Sequence, residues 1–324
     1  MRIHANDGIS KEAVNLLKEE GFEVTTDHVP QEKLVDFLKS ARVEALLVRS
    51  ATKVRKELIE SCPDLKLIGR GGVGMDNIDV EFAVHKGLRV VNTPASSSIS
   101  VAELVMAHLF SMARGLYQSN RRMPTEGASA FKELKKAYGS GMELRGKTLG
   151  VIGFGRIGCW VARYAIGAGM KVIYTDHHAT VDHLEVQFNG ETHRVGIKLV
   201  PLAELLAKSD AITLHVPANP DNSAVLGPAE FAQMKRGMLV VNAARGGSID
   251  ETALITALRD GTVRSAGLDV FEHEPTPSQE LLSMPNVSLS PHIGAATGEA
   301  QDRIGLELAE LLTAWRDEVT VGRG

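Results

Sequence analysis

Three short segments of this 324-residue chain each place a chemically active side chain just beyond a run of apolar residues. Val240-Val241-Asn242-Ala243-Ala244-Arg245-Gly246-Gly247 carries a strand-like run into an arginine. Gly267-Leu268-Asp269-Val270-Phe271-Glu272-His273-Glu274-Pro275 sets two or three acids past another run, and Ser290-Pro291-His292-Ile293-Gly294-Ala295 sets a histidine past a third. An imidazole exchanges protons near neutral pH, and a carboxylate on its other nitrogen fixes its tautomer. A guanidinium presents a planar fork that grips a carboxylate. Singly, each has a plain structural explanation: Arg245 in a surface ion pair, Glu274 on a solvated loop, His292 at a helix start. Placed together at the carboxyl ends of strands in one sheet, they read as proton-transfer chemistry on a small acid.

A redox partner for that chemistry is legible upstream. Thr148–Ile152 reads as a short buried strand, and Gly153-Phe154-Gly155-Arg156-Ile157-Gly158 follows it directly. A helix-compatible run then leads to a second strand, Val172–Tyr174, ending at Asp176. Gly153 allows the tight turn, Gly155 lets backbone approach a pyrophosphate, and Gly158 lets helix and strand pack closely. The helix start at Arg156 and Ile157 offers unpaired N–H groups and a dipole that favour the anion. Asp176 would accept hydrogen bonds from the adenosine ribose and repel a 2′-phosphate, so NAD is the expected cofactor. Gly69-Arg70-Gly71-Gly72-Val73-Gly74 matches the same glycine spacing without the same frame. Met75–Asp79 interrupts before a helix can start, and the next strand, Leu88–Val91, ends at Asn92 instead of an acid. It reads as a tight glycine turn, or as a loop whose N–H groups and Arg70 bind a small anionic substrate.

The elements that must position these residues alternate along the chain. Ile3–Ala5, Glu23–Thr25 and Ala45–Val48 read as strands, with helices over Ser10–Glu20 and Gln31–Lys39 between them. The alternation resumes from Thr148 to Leu289. This predicts an α/β protein of two doubly wound parallel-sheet domains. A flavodoxin-like substrate domain is expected over residues 1–97 plus 296–324, with an inserted Rossmann NAD-binding domain over 98–295. The terminal helix should return to the first domain, so that two crossings form a hinge over a cleft. Ser100-Val101-Ala102-Glu103 reads as a capping box opening a helix, on which His108 is a core or interface histidine. Residues 100–146 form an arm too long for a simple connection. Asn189-Gly190, between alternating arms, predicts a surface hairpin. His177, His178 and His193 fit no standard ligand spacing, and no metal is expected.

Composition sets the outer bounds. The length suggests about two domains. A hydrophobic fraction of 44% supplies a core, and 23% charged residues with a net charge of −4 argue against a nucleic-acid or anionic-membrane surface. The two cysteines, Cys62 and Cys159, cannot make a disulfide framework. The start of the chain lacks the apolar stretch of a signal peptide, and no apolar run reaches membrane-spanning length, so a cytoplasmic location is expected.

In their order along the chain, GFGRIG, NAARGG, GLDVFEHEP and SPHIGAAT resemble the D-isomer-specific 2-hydroxyacid dehydrogenase family. VRSATKV at Val48–Val54, GRGGVGMDNID at Gly69–Asp79 and NTPASSSISVAE at Asn92–Glu103 look like the substrate domain of its phosphoglycerate-oxidising branch. The resemblance covers nearly the whole chain. It implies a catalytic triad of Arg245, Glu274 and His292. It also implies nicotinamide-side contacts at Val216, Pro217, Ala243, Ala244, Asp269 and Gly294. Substrate contacts would fall at Arg49, Ser50, Arg70, Gly72 and Val73, joined by Arg245 and His292. In this reading His292 is the base, Glu274 steadies the imidazolium, and Asp269 orients the nicotinamide carboxamide. Arg49 and Arg70 add the cations that a phosphorylated substrate needs.

The reaction so implied is NAD-dependent oxidation of D-3-phosphoglycerate to 3-phosphohydroxypyruvate, and its reverse, the first step of the phosphorylated route to L-serine. Alternatives are a relative acting on glyoxylate, hydroxypyruvate or D-lactate, or a non-catalytic NAD-sensing protein of corepressor type. The arm resembles the family's subunit-exchange arm, which implies a homodimer. Many phosphoglycerate-oxidising relatives continue into a regulatory domain where this sequence stops, so serine is not expected to inhibit through one.

Overall fold

The computed structural model describes residues 1–219, 221 and 223–321, so residues 322–324 of the expected return segment lie outside the described part. The chain forms two compact units, Met1–Ser98 with Ala295–Gly324, and Ile99–Gly294.

In the first unit, β1 (Arg2–Ala5), β2 (Glu23–Thr25), β3 (Ala45–Val48), β4 (Leu67–Arg70) and β5 (Arg89–Asn92) form one parallel sheet. Its order is β2-β1-β3-β4-β5, the flavodoxin-like arrangement. All four residues of β3 are buried, which is why a central parallel strand reads as an unbroken apolar run. Leu34, Leu38, Leu58 and Ile59, from helices Gln31–Ser40 and Lys56–Ser61, cover one face. Leu17, Ala309, Leu312 and Trp315, from helices Lys11–Glu19 and Gly298–Val321, cover the other. The last two helices meet at Gly305, where a Cβ would lie 2.7 Å from Ala13 Cβ and 2.6 Å from Ser10 Oγ. Glycine is what permits so close a crossing.

In the second unit the strands are β6 (Thr148–Ile152), β7 (Lys171–Thr175), β8 (His183–Phe188), β9 (Glu191–Gly196), β10 (Lys198–Leu199), β11 (Ala211–Leu214), β12 (Met238–Asn242), β13 (Val263–Leu268) and β14 (Val287–Leu289). Seven of them form a parallel sheet in the order β10-β7-β6-β11-β12-β13-β14. The chain winds outward from β6 in one direction and restarts at β11 in the other. Ligands of such sheets bind at that switch, beyond the carboxyl ends of the strands.

One local expectation needs correction, one strand was not anticipated, and a third element takes its expected form. The helix expected to be capped at Ser100 spans Ser98–Arg114. Ser100 sits inside it and donates its hydroxyl to Gly294 O at 2.7 Å, so tertiary contact displaces the local capping box. The two-residue edge strand β10 escaped the sequence reading because Lys198–Leu199 is too short for an alternating pattern. The β8–β9 hairpin turns through Asn189 (φ 50°) and Gly190 (φ 86°), the left-handed pair that an Asn-Gly hairpin turn demands.

Candidate active site

The turn after β6 is built around its three glycines. Gly153 has φ +88°, and a Cβ there would come within 2.5 Å of His215 O. A Cβ on Gly158 would lie 2.3 Å from Gly153 O, so the helix Arg156–Gly167 presses directly on the strand end. A Cβ on Gly155, by contrast, would meet no described residue within 4 Å, and Gly155 precedes that helix without a side-chain cap. Open space before uncapped N–H groups is the surface a pyrophosphate needs. Beside the turn, His215 Nε2 pairs with Thr213 Oγ1 at 3.0 Å, while its buried Nδ1 has no hydrogen-bond partner among the described residues. Burial pushes this imidazole down to about 3, so it is neutral. The glycine cradle and the uncommitted polar atom both fit a dinucleotide.

Asp176 follows β7 directly. Burial alone would raise its carboxyl, but N–H groups of Ala179, His178 and Phe154 hold it below the usual range. They donate at 2.8, 2.7 and 2.6 Å respectively. Among the described residues Oδ2 takes only the Phe154 bond, which leaves an acceptor site for a ribose hydroxyl. Asp176→Asn keeps one oxygen for the N–H groups of His178 and Ala179, gives up the acceptor facing Phe154 N and removes the charge. A unit charge about 4 Å from a phosphate costs on the order of 1–4 kcal/mol. The ratio of kcat/KM for NADPH over NADH should therefore rise roughly ten-fold or more, read from parallel kinetics with the two cofactors. An unchanged ratio would move the cofactor discrimination elsewhere.

The histidine segment lies just past β14. His292 Nδ1 pairs with Glu274 Oε2 at 2.7 Å, and Glu274 Oε1 accepts the N–H of Phe271 at 3.1 Å. The sequence placed these two side chains eighteen positions apart; the parallel neighbours β13 and β14 bring them into contact. Asp269 is 1% exposed and faces the same segment. Its Oδ1 accepts from Ser290 Oγ (2.6 Å) and Ile293 N (2.9 Å), and its Oδ2 from Gly294 N (2.8 Å). The residue expected only to face nicotinamide thus also holds the histidine loop, with acceptor capacity left on Oδ2.

Arg245 comes from the neighbouring strand end. Asn242 shapes its turn by accepting from Ala244 N (3.1 Å) and donating to Arg245 O (2.9 Å). A Cβ on Gly246 would fall 1.8 Å from Phe271 O, so this loop packs backbone to backbone against the loop that carries Glu274. A second clasp locks the two. Glu272 N donates to Glu251 Oε1 at 2.9 Å, and Glu251 N donates to Glu272 Oε1 at 3.0 Å. Burial, reinforced by the Glu272 charge, pushes the Glu251 carboxyl above its ordinary value. Val216, Ala243 and Ala244 sit past β11 and β12 on the same edge, and Pro217 follows Val216.

The remaining expected residues belong to the first unit. Arg49 and Ser50 follow β3, and Arg70 ends β4. Asp7, just past β1, accepts from Arg49 N (2.6 Å) and Thr52 N (3.1 Å) through Oδ2 and from Thr52 Oγ1 (2.6 Å) through Oδ1. Asn77 closes the other side, donating to Arg49 O (2.8 Å) and Thr52 O (2.6 Å). The Arg70 guanidinium lies across Gly72, where a Cβ would sit 1.9 Å from Nη1. Gly72 itself has φ +132°, and its N–H donates to Thr93 Oγ1 at 2.8 Å. Val73, next along, is exposed. Asp7, Asn77, Asn242 and Glu251 went unread in the sequence because acids and amides beside turns are common. Only the partner loops distinguish them.

A dinucleotide cradle, an acid-paired histidine and an arginine on one parallel-sheet edge define a nicotinamide-dependent oxidoreductase. Residues 106–294 match the family model for the D-isomer specific 2-hydroxyacid dehydrogenase NAD-binding domain. Hydroxypyruvate reductase from Thermotoga maritima is 44% identical over 95% of this chain and 96% of its own length. D-3-phosphoglycerate dehydrogenase from Methanocaldococcus jannaschii is 43% identical over 96% of this chain, which spans 56% of that relative's length. Among solved structures, D-lactate dehydrogenase from Aquifex aeolicus complexed with NAD and lactic acid has a TM-score of 0.78 at 29% identity, over 98% of this chain and 96% of its own. The chain belongs to the D-isomer specific 2-hydroxyacid dehydrogenase family and is an NAD-dependent oxidoreductase acting on 2-hydroxy acids.

Proposed function

We propose that this enzyme interconverts D-3-phosphoglycerate and 3-phosphohydroxypyruvate. Bound NAD supplies the hydride acceptor at C2 of the hydroxy acid. His292 Nε2 takes the hydroxyl proton as the C–H hydride leaves, and returns it in the reverse direction. Glu274, on Nδ1, keeps the proton of the second nitrogen in place and stabilises the imidazolium. Arg245 grips the C1 carboxylate and polarises the carbonyl oxygen. Asp269 turns its free acceptor site toward the nicotinamide carboxamide.

One observation carries the choice of a phosphorylated substrate: Arg49 and Arg70 stand at the carboxyl ends of neighbouring strands, the first on a loop pinned by Asp7 and Asn77. Two guanidiniums exceed what one small carboxylate needs. A second reading, hydroxypyruvate as substrate, is favoured by the Thermotoga relative that this chain matches over nearly its whole length. NADH oxidation with 3-phosphohydroxypyruvate, hydroxypyruvate, glyoxylate and 2-oxoglutarate separates them. The phosphorylated keto acid should give the highest kcat/KM, and a clear preference for hydroxypyruvate would reject it.

We also propose a homodimer through residues 100–146. Phe110, on the helix Ser98–Arg114, and Leu116, Met123 and Phe131 further along are all exposed on this arm. A groove of about 960 Å³ beside that helix is lined by Met106, Phe110, Trp160, Tyr164 and Phe188. Apolar patches of this kind mark association surfaces in soluble proteins. Sedimentation velocity at micromolar concentration should give a dimer, and a monomer would remove the claim.

A further inference from the structure

His108 is a buried titratable group that the reaction as described does not use. It sits on the helix Ser98–Arg114, 6% exposed, against Gly267 of β13, where a Cβ would come within 2.8 Å of His108 Cβ. Its Nδ1 pairs with Ser288 Oγ at 2.9 Å and its Nε2 with Ser290 Oγ at 3.0 Å. Ser290 decides the direction of these bonds. Its one hydroxyl hydrogen goes to Asp269 Oδ1, so toward His108 it can only accept. His108 therefore carries a proton on Nε2 and donates it to Ser290. Burial holds the ring below the ordinary imidazole range, against the pull of the Asp269 charge, which leaves Nδ1 to accept from Ser288. The chain of donors runs one way: Ser288, His108, Ser290, Asp269.

Asp269 ends that chain by gathering the N–H groups of Ile293 and Gly294, the two residues after His292. His292 has φ 54°, a left-handed conformation that residues other than glycine seldom adopt. A carboxylate accepting successive N–H groups is a fitting counterpart to such a turn. We propose that His108 is a positioning residue of the reaction: by orienting Ser290 onto Asp269, it keeps the His292 loop in the conformation that sets Nδ1 against Glu274. The inference rests on the reading of His292 as the proton carrier. It gives the polar ring a task that an apolar core residue could not perform.

His108→Leu fills the space without a donor, whereas His108→Gln retains an N–H for Ser290. With NADH and the faster of 3-phosphohydroxypyruvate and hydroxypyruvate, His108→Leu should lower kcat about ten-fold or more with little change in KM, because sub-ångström misplacement of a reacting group is costly. His108→Gln should recover most of that loss. Equal losses in the two variants, or a lowered Tm with kcat intact, would overturn the proposal. Should His108→Leu fail to fold, the serines decide. Ser290→Ala should reproduce the fall in kcat, and Ser288→Ala, which leaves the bond to Ser290, should barely alter it; equal effects would overturn the proposal. His292→Asn separates the two readings. If it stays active, the reading of His292 has failed. If it is inactive while His108→Leu is fully active, only the His108 inference has failed.

Discussion

Replacing His292 by Asn is expected to lower kcat in both directions by about 10²- to 10⁴-fold, the usual share of a positioned acid–base group. The physical ground is the pair itself: His292 Nδ1 lies 2.7 Å from Glu274 Oε2, which leaves Nε2 to exchange a proton with substrate. Asn retains polarity and fits the left-handed backbone at φ 54° better than most residues, so the loop should keep its shape. NADH affinity, measured by fluorescence titration, should hold, because the glycine turn and Asp176 are elsewhere on the sheet. Glu274→Gln should cost less than His292→Asn, since an amide can still accept from Nδ1–H but no longer offsets the charge that forms on the ring. A His292→Asn enzyme retaining more than about one-tenth of the parent kcat would assign proton transfer to another group.

Arg70→Ala should fall hardest on a phosphorylated substrate. A hydrogen bond to a charged group contributes about 1.5–3 kcal/mol, so kcat/KM for 3-phosphohydroxypyruvate should drop by roughly one to two orders of magnitude. Hydroxypyruvate should lose less, and NADH affinity should stay level because Arg70 belongs to the Met1–Ser98 unit. Gly72→Ala is a companion test. Its Cβ would overlap Arg70 Nη1 at 1.9 Å on a backbone with φ +132°, so the guanidinium must move although the charge remains. The same substrate-dependent loss in both variants would tie specificity to where Arg70 is held. Equal losses on both keto acids would mean that Arg70 serves the carboxylate or the fold.

These expectations draw on two kinds of information. The glycine turn was readable because local rules act on it: a buried strand, φ > 0 at Gly153, close packing at Gly158 and an acid after the next strand leave few other interpretations. The Asn189-Gly190 hairpin was readable for the same reason, since both positions need left-handed backbone. The parallel sheets followed from the alternation of strands and helices along the chain, and strands such as β3 and β12 prove buried throughout.

Local rules failed where a distant partner outbid them. Ser100 had the spacing of a helix cap, yet the helix runs past it and the hydroxyl goes to Gly294 O. Asp269 looked like a residue facing cofactor alone, and the structure adds three bonds to the histidine segment.

The sequence by itself determined the types of chemical group, the cofactor turn and the order of strands that carries them to one edge. Those features depend on neighbours within a few positions, where periodicity and backbone preference are strong. The pairing of His292 with Glu274 was already implied by the resemblance, but only the tertiary structure decided which other groups meet: Glu251 with Glu272, Arg49 with Asp7, and His108 with Ser288 and Ser290. The reason is that a polar side chain leaving water must find its partner in the three-dimensional packing, and no spacing rule along the chain records which loop supplies it.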